Sequence, residues 1–218
     1  MEFTYEASDR KQTLETYEWD NIWLEQAPET GLVRVMIIGD SISCGYRRLV
    51  TEAAKGRMYV DGIGTSKALD NLSFPKLIDY VLTQEPGRAA IQFNNGLHGW
   101  HLLTAEYKKC YEKMVDFLLT KTEERRLMLA LTTPTRQIGE LEAFDKRNRL
   151  VLERNEVVRE IAADRKLPVN DFYALTADKP GLWAADGKAS EGVVLRLKIM
   201  RSCRTFGVSL GYGSFIMG

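Results

Sequence analysis

Short apolar runs alternate with longer amphipathic segments along most of the chain. The first run, Val33–Gly39, is rich in β-branched residues and ends at a glycine, which is typical of a buried strand. Four later runs have the same character and predict further strands at 57–61, 89–94, 127–132 and 167–171. All five are short enough to be strands and are bounded by polar or turn-forming residues.

The segments between these runs carry apolar residues at helical spacing. In the clearest of them, 103–120, Tyr107, Tyr111, Met114 and Leu118 recur at intervals of three or four, which predicts an amphipathic helix. The other segments that we predict to be helical are 43–54, 74–83 and 144–166. Strands that alternate with such helices indicate a three-layer α/β/α sandwich around a five-stranded parallel sheet, as in flavodoxin-like proteins.

The ends of the chain do not follow this alternation. Residues 1–31 are polar and aromatic without a clean period, so we expect an N-terminal extension packed on the domain. Residues 32–218 are predicted to form a single domain, although the tail after residue 187 has little helical period and is atypical. We find no internal repeat, low-complexity tract or linker that would divide it.

Composition narrows the class of partner. Lys plus Arg equals Asp plus Glu at 30 each, so no net field favours nucleic acid or an anionic membrane. We therefore expect a small-molecule or oligosaccharide substrate. The three cysteines are far apart and lack metal-binding spacing, and we expect no metal or other cofactor. The N-terminus lacks the basic start and apolar stretch of a signal peptide, so we expect a cytoplasmic protein unless a signal was removed.

Polar residues follow each predicted strand, where parallel sheets place their ligand sites. The clusters lie at 39–41, 62–66, 94–98, 132–135 and 186–187. They contain a serine, several glycines and two asparagines, which can supply a nucleophile and hydrogen-bond donors for an oxyanion.

These clusters, in this order, resemble the GDSL (SGNH) hydrolase family over residues 19–187. The resemblance implies that Ser41, in Gly39-Asp40-Ser41-Ile42-Ser43, is the nucleophile of a serine esterase and that its amide helps to form the oxyanion hole. It implies a second donor at Gly64, with Gly62 as the alternate, and a third at Asn94, with Asn95 as the alternate. A plainer interpretation is that the Asp-Ser pair and the asparagines only cap helices.

The third cluster differs from the family's commoner sequence motif, Gly-x-Asn-Asp. It reads Phe-Asn-Asn-Gly-Leu-His-Gly-Trp-His at 93–101 and is similar to a variant found in carbohydrate-linked members. Aromatic and polar side chains at Asn95, His98, Trp100 and His101 are therefore predicted to contact an O-acylated sugar. Trp100 is equally compatible with a place in the core.

The expected catalytic base is missing. A serine hydroxyl needs a histidine to take its proton and a carboxylate to orient that imidazole. The family places both in a late Asp-x-x-His, and here Asp186 is kept while Ala189 occupies the histidine position. The chain could be a pseudoenzyme, His98 or His101 could act as base, or the sequence after Gly187 could be out of frame. The last explanation is decided by the codons for Ala189 and Ser190.

Three functions remain to be compared. The first is a serine esterase that hydrolyses an acetyl or other short acyl ester on a carbohydrate, impaired if the base is absent. The second is a non-catalytic carbohydrate-binding pseudoenzyme on the same fold. The third, a nucleotide binder, would need a phosphate loop such as GxxxxGK[ST], which the sequence lacks.

Overall fold

A computed structural model describes residues 13–54, 56–84 and 88–179. Its main sheet has six strands in the order β1-β3-β2-β4-β5-β8, and β6 and β7 form a separate antiparallel pair. Only β1 runs antiparallel to its neighbour in the main sheet. The strands are β1 (Asp20–Trp23), β2 (Val33–Gly39), β3 (Met58–Thr65), β4 (Ala90–Phe93), β5 (Leu127–Ala130), β6 (Arg136–Gln137), β7 (Glu140–Phe144) and β8 (Val169–Asn170).

Helices cover both faces of the sheet. They are α1 (Ser41–Ala54), α2 (Ser73–Gln84), α3 (Thr104–Leu119), α4 (Asn148–Asp164) and α5 (Phe172–Thr176), with a short 3₁₀ turn at Glu124–Arg126. Successive residues of a strand point to opposite faces. Ile37 of β2 accordingly packs in the core that contains residues of α1 and α5, whereas Ile38 packs in the core that contains residues of α2, α3 and α4. The predicted three-layer sandwich with parallel strands is confirmed.

The sixth strand, β1, was not anticipated from the sequence. It lies in the segment that we expected to be an irregular extension and pairs antiparallel with β3 at the edge of the sheet. All four of its residues are exposed, so it lacks the apolar alternation that marks a half-buried strand. Its pairing joins this part of the N-terminal segment to the sheet.

Strand β3 is longer than predicted. The sequence suggested a strand that ends at Asp61 and a glycine turn after it, but β3 continues to Thr65 and pairs with β2 on one side and β1 on the other. The glycines at positions 62 and 64 of β3 allow helix α1 to pack close to the strand. A Cβ on Gly62 would be 2.5 Å from Arg47 Cδ, and one on Gly64 would be 2.1 Å from Cys44 Sγ. These glycines therefore serve helix packing within the strand.

The start of α4 also differs from the prediction. We predicted a helix from Phe144, but Glu140–Phe144 is strand β7 and the helix begins at Asn148. The two-stranded β6-β7 ribbon precedes the helix, and its residues alternate between exposed and half-buried. The predicted helix wrongly included Phe144, the last residue of this ribbon. Among the described residues, none of the helices is long and apolar enough to cross a membrane.

Replacing Gly64 by alanine tests the close approach of α1. We expect Gly64→Ala to lower the free energy of unfolding by about 1–3 kcal/mol, because the new methyl group overlaps Cys44 Sγ and α1 must shift. Urea unfolding followed by circular dichroism measures the change.

The matched control for this substitution is Gly31→Ala. Gly31 is exposed and has nothing within 4 Å of its Cβ position, so this change should stay within about 0.5 kcal/mol of the parent. Adding Cys44→Ala to Gly64→Ala should recover part of the loss. Equal unfolding energies for the two alanine variants would show that α1 does not pack on Gly64 in this way.

Candidate active site

Ser41 is the first residue of α1 and follows β2 by one residue, Asp40. Asp40 is buried, and its Oδ1 accepts a hydrogen bond of 2.9 Å from the amide of Ile42. Its carbonyl oxygen accepts bonds from the Ser43 hydroxyl at 2.6 Å and the Cys44 amide at 3.2 Å. The plainer interpretation assigned helix capping to the Asp-Ser pair. Asp40 alone makes the capping bonds, and Ser41 is not needed for capping.

Ser41 is exposed at the surface. Within residues 13–54, 56–84 and 88–179, neither its amide nor its hydroxyl has a hydrogen-bond partner. Amides in the first turn of a helix have no partner inside the helix, and the helix dipole makes this end partially positive. The position is thus suited to a group on which negative charge develops.

Gly64 lies against the turn that carries Ser41. It pairs in register with Gly39, the last residue of β2, and its Cβ position is 3.4 Å from the Asp40 carbonyl oxygen. The structure therefore brings the first two clusters together at one edge of the sheet. The role of the Gly64 amide as an oxyanion donor stays a prediction, and a packing requirement alone also accounts for a glycine here.

Asn94 follows β4 and is held by β5. Its side-chain nitrogen donates to the Ala130 carbonyl at 2.6 Å and to Thr132 Oγ1 at 3.1 Å. These two bonds use both hydrogens of the amide, so donation to an oxyanion would require one bond to be exchanged. The alternate, Asn95, is 2% exposed and donates to the Lys67 carbonyl at 2.8 Å, which places it inside the loop.

A narrow cleft joins the first turn of α1 to the ends of β4 and β5. Asp40, Ile42, Asn94 and Thr133 are among its lining residues. The Thr133 hydroxyl is buried and has no partner among the described residues. The cleft shows that the residues flanking Ser41 and the predicted third donor face a common space.

The loop after β4 is organised by a buried arginine on α4, Arg154, which is fully shielded from solvent. Its guanidinium donates to the carbonyl oxygens of Gly96 at 3.0 Å, His98 at 2.7 Å and Gly99 at 2.5 Å. Burial lowers the pKa of Arg154 from its ordinary value, while the nearby Tyr107 and Glu15 oppose that shift. A guanidinium nevertheless keeps its charge in proteins.

The next residue on α4, Asn155, holds the loop after β5. Its side chain accepts a bond of 2.8 Å from the Thr132 amide and donates one of 3.0 Å to the Thr132 carbonyl. Thr132 in turn contacts Asn94, and a Cβ on Gly96 would lie 1.8 Å from its Oγ1. Arg154 and Asn155 together thus fix both strand-end loops from a single helix turn.

Both histidines of the described region have carboxylate neighbours. His98 Nδ1 lies 3.7 Å from Glu15 Oε1, and His101 Nε2 lies 2.9 Å from Asp70 Oδ2. Neither imidazole is hydrogen-bonded to Ser41. The structure therefore gives no contact that would make either of them the base.

Trp100 is half-buried in the same loop. Its ring centroid lies 5.1 Å from the Arg154 guanidinium carbon and 5.3 Å from that of Arg147. Such cation–π contacts are part of how the buried arginine is accommodated. Contact of Trp100 with a sugar stays a prediction, and the ring has a clear structural role. Asp186, Gly187 and Ala189 lie outside the described residues.

Solved structures with a similar fold include acetylxylan esterases and a member of the lipolytic G-D-S-L family. The acetylxylan esterase Axe2 from Geobacillus stearothermophilus has a TM-score of 0.64 and 15% identity, and the match covers 84% of this chain and 97% of that one. A member of the lipolytic G-D-S-L family from Veillonella parvula has a TM-score of 0.62 and 21% identity, with 80% of this chain and 98% of that chain covered. The chain has the GDSL (SGNH) hydrolase fold.

A third structure is an α/β hydrolase, LAE5, from the metagenome of Lake Arreo in Spain. It has a TM-score of 0.63 and 13% identity, and the match covers 81% of this chain and 95% of that one. No protein-family model matches the sequence, and no curated protein matches it either. The similarity is therefore one of SGNH fold.

The sequence analysis missed the two residues on α4 that hold the loops of the candidate site. A signal for Arg154 was nevertheless available, because it occupies an apolar-face position of the helix with Val151, Val158 and Ile161 at spacings of three and four. A charged residue on a core-facing stripe requires partners. Their identity, three backbone carbonyls in a loop more than fifty residues earlier, is a tertiary feature.

Replacing Asn155 by leucine tests the hold on Thr132. Leucine has a similar size but leaves the buried amide and carbonyl of Thr132 without their partners, so we expect the free energy of unfolding to fall by about 2–4 kcal/mol. Chemical denaturation measures this loss. Arg149→Ala on an exposed face of the same helix is the control and should change it by less than about 0.5 kcal/mol. A similar small effect for Asn155→Leu would contradict the assignment.

Proposed function

We propose that this protein is a serine esterase of the GDSL/SGNH type that hydrolyses an acetyl or other short acyl ester on a carbohydrate. The observation that carries the proposal is the place of Ser41. It is exposed, it begins α1 directly after a central parallel strand, and its amide and hydroxyl have no partner among the described residues. The fold around it is that of esterases and lipases.

The proposed chemistry is acyl transfer in two steps. The Ser41 oxygen attacks the ester carbonyl and its proton passes to a base; the bond between the acyl carbon and the sugar oxygen then breaks, and that oxygen accepts the proton and leaves as the sugar hydroxyl. Water then attacks the acyl-serine and releases the carboxylic acid with Ser41 regenerated. In each step the carbonyl oxygen becomes negatively charged. The Ser41 amide, at the positive end of α1, is the donor that the geometry supports best.

The other two donors require different things of the structure. Gly64 lies next to the Ser41 turn but is paired with Gly39 of β2 and with Asn21 of β1, so its amide can serve an oxyanion only if the sheet does not use it. Asn94 must exchange its bond to Thr132 or Ala130 for one to the substrate. One oxyanion donor is worth on the order of 10²-fold to 10³-fold in rate, so this exchange is repaid in the transition state.

Activation of Ser41 depends on the missing histidine. Asp186 retains the carboxylate of the family's late motif, and Ala189 stands at the position of the base. Members of a catalytic triad act as a unit, and without one of them the oxyanion hole and binding still leave roughly 10³-fold to 10⁴-fold over water. We therefore propose weak turnover for this chain as written.

The choice of an acylated carbohydrate rests on two supports. The loop 93–101 resembles carbohydrate-linked members in its wording. Two of the structural neighbours are acetylxylan esterases.

The second candidate is a non-catalytic carbohydrate-binding protein on the same fold. It is favoured by one observation, that both histidines are engaged by Glu15 and Asp70 and not by Ser41. Such a protein would bind acetylated xylo-oligosaccharides with neither turnover nor covalent labelling of Ser41. The esterase and the binding protein therefore differ in one measurable property.

Restoring the histidine tests whether the missing base limits the activity. We expect Ala189→His to raise kcat/KM for p-nitrophenyl acetate by on the order of 10²-fold or more, because an imidazole beside Asp186 can take the Ser41 proton. Labelling of Ser41 by a fluorophosphonate, located by mass spectrometry, should rise in parallel.

The controls use the same background. Ser41→Ala combined with Ala189→His should abolish both the gain and the labelling. His98→Gln and His101→Gln in the parent chain test the alternative base, and neither should lower the fluorophosphonate labelling of Ser41, which involves no sugar, since neither imidazole contacts Ser41. A folded Ala189→His protein, checked by circular dichroism, that labels no faster than the parent would exclude the missing base as the cause of low activity.

A further inference from the structure

A carboxylate from the N-terminal segment is bound by the loop after β4. Oε1 of Glu15 accepts a hydrogen bond of 2.6 Å from the Gly99 amide and lies 3.7 Å from Nδ1 of His98. The side chains of Glu15 and His98 are 22% and 18% exposed. Both side chains are therefore mostly buried, but water can still reach part of each.

The loop peptide that binds Glu15 is polarised from behind by Arg154. In a planar trans peptide the carbonyl and the amide point in opposite directions. The carbonyl of His98 accepts from Arg154 at 2.7 Å, and the amide of the same peptide, that of Gly99, donates to Glu15. Gly99 has φ of +67°, a conformation that glycine adopts without strain.

Arg154 is a buried cation that makes no direct ion pair within the described ranges. Three carbonyl oxygens and the rings of Trp100 and Tyr107 surround it. A buried charge needs compensation, and an anion on the far side of the His98–Gly99 peptide supplies it through the peptide dipole. The loop is thus built to hold a negative group at the position of Glu15.

We propose that the Gly99 amide and the His98 imidazole, backed by Arg154, form a subsite for the carboxylate of a ligand, which Glu15 fills when no ligand is present. The ligand must present a carboxylate to replace that of Glu15. Given the proposed function, on which the choice of source rests, that carboxylate belongs to an acidic sugar of the substrate or to the acetate that the reaction releases.

Few contacts within residues 13–19 hold the segment that carries Glu15 to the domain, and one of them is the 3.9 Å ion pair of Glu18 with Lys67. Trp19 anchors it, because its amide donates to Ser66 Oγ at 2.8 Å and its carbonyl accepts from the Ser66 amide at 3.1 Å. Before that anchor, the Glu15 amide bonds to Glu18 Oε1 at 3.0 Å, which is a local contact. Glu15 therefore lies on a short tether, where its local concentration is of millimolar order and a free carboxylate must compete with it.

The test measures binding, not hydrolysis, so it does not depend on the esterase proposal. The chain has only two histidines, His98 and His101, so nuclear magnetic resonance of the histidine-labelled protein has only two imidazoles to follow. The probes are sodium glucuronate, sodium acetate, glucose and sodium chloride. The variants are Glu15→Gln, which removes the charge at nearly constant size, and Glu29→Gln, an exposed glutamate, as the matched control.

We expect glucuronate or acetate to shift the His98 signal in Glu15→Gln with a dissociation constant at least tenfold lower than in Glu29→Gln. Glucose and chloride should not shift it. Tighter binding of glucuronate than of acetate assigns the subsite to an acidic sugar, and equal binding assigns it to the released acid. Arg154→Lys in the Glu15→Gln background should weaken the binding, provided that its circular dichroism matches that of the parent.

The proposal is overturned if carboxylates leave His98 unshifted in Glu15→Gln, if both glutamate variants bind them equally, or if chloride gives the same shift. Failure of the esterase proposal has a different signature. Ala189→His would then stay inactive towards p-nitrophenyl acetate, while carboxylate binding at His98 would be unaffected.

Discussion

The candidate site depends on one interaction, the burial of the Arg154 guanidinium against backbone carbonyls of the loop after β4. Taking a cation out of water is costly, so the loop must keep its carbonyls turned towards α4 for the fold to be stable. Because the carbonyl and the amide of a peptide point in opposite directions, this requirement also fixes the amides of the same peptides, which point away from α4. Asn155 adds the loop after β5 to the same support. Two of the loops that border the Ser41 edge are consequently set by adjacent residues of one helix.

The Ser41 turn is set by a different constraint, the distance between α1 and β3. Glycines at 62 and 64 let the helix approach the strand, and the first turn of α1 then lies on Gly64 with Asp40 as its cap. Because Asp40 takes the capping role, Ser41 is free to serve chemistry. A serine at this position lies at the partially positive end of the helix dipole, and its amide has no hydrogen-bond partner inside the helix. The positions of Ser41, the proposed nucleophile, and of its amide, the proposed oxyanion donor, are thus set by contacts among residues 39–64.

Much of this arrangement was predictable from the sequence, and the failures have physical causes. β2, α1 and α3 have strong local patterns, and they were predicted within a few residues of their bounds. β1 was not, because an exposed edge strand is stabilised by pairing with β3 and carries no apolar alternation of its own. The glycines of β3 resembled a turn because local propensity cannot show the helix that packs on them. The rule that parallel strands have their carboxyl ends at one edge of the sheet predicted that Ser41 and Asn94 lie at the same edge. Asn155, Glu15 and the loop carbonyls that bind Arg154 are joined by contacts between residues distant in sequence, and these contacts could be found only in the tertiary structure.

The N-terminal segment belongs to this edge more closely than its sequence suggests. Trp19 is bonded to Ser66 at the end of β3, Asp20 receives two bonds from the buried Lys67, and Glu15 reaches the loop after β4. Three acidic side chains, Glu15, Glu18 and Asp20, thereby face Lys67, His98 and, through the loop peptides, Arg154. These carboxylates neutralise neighbouring cationic and imidazole groups at the carboxyl ends of the strands. In the proposed subsite a ligand with a carboxylate must compete with Glu15, whereas a neutral ester need not.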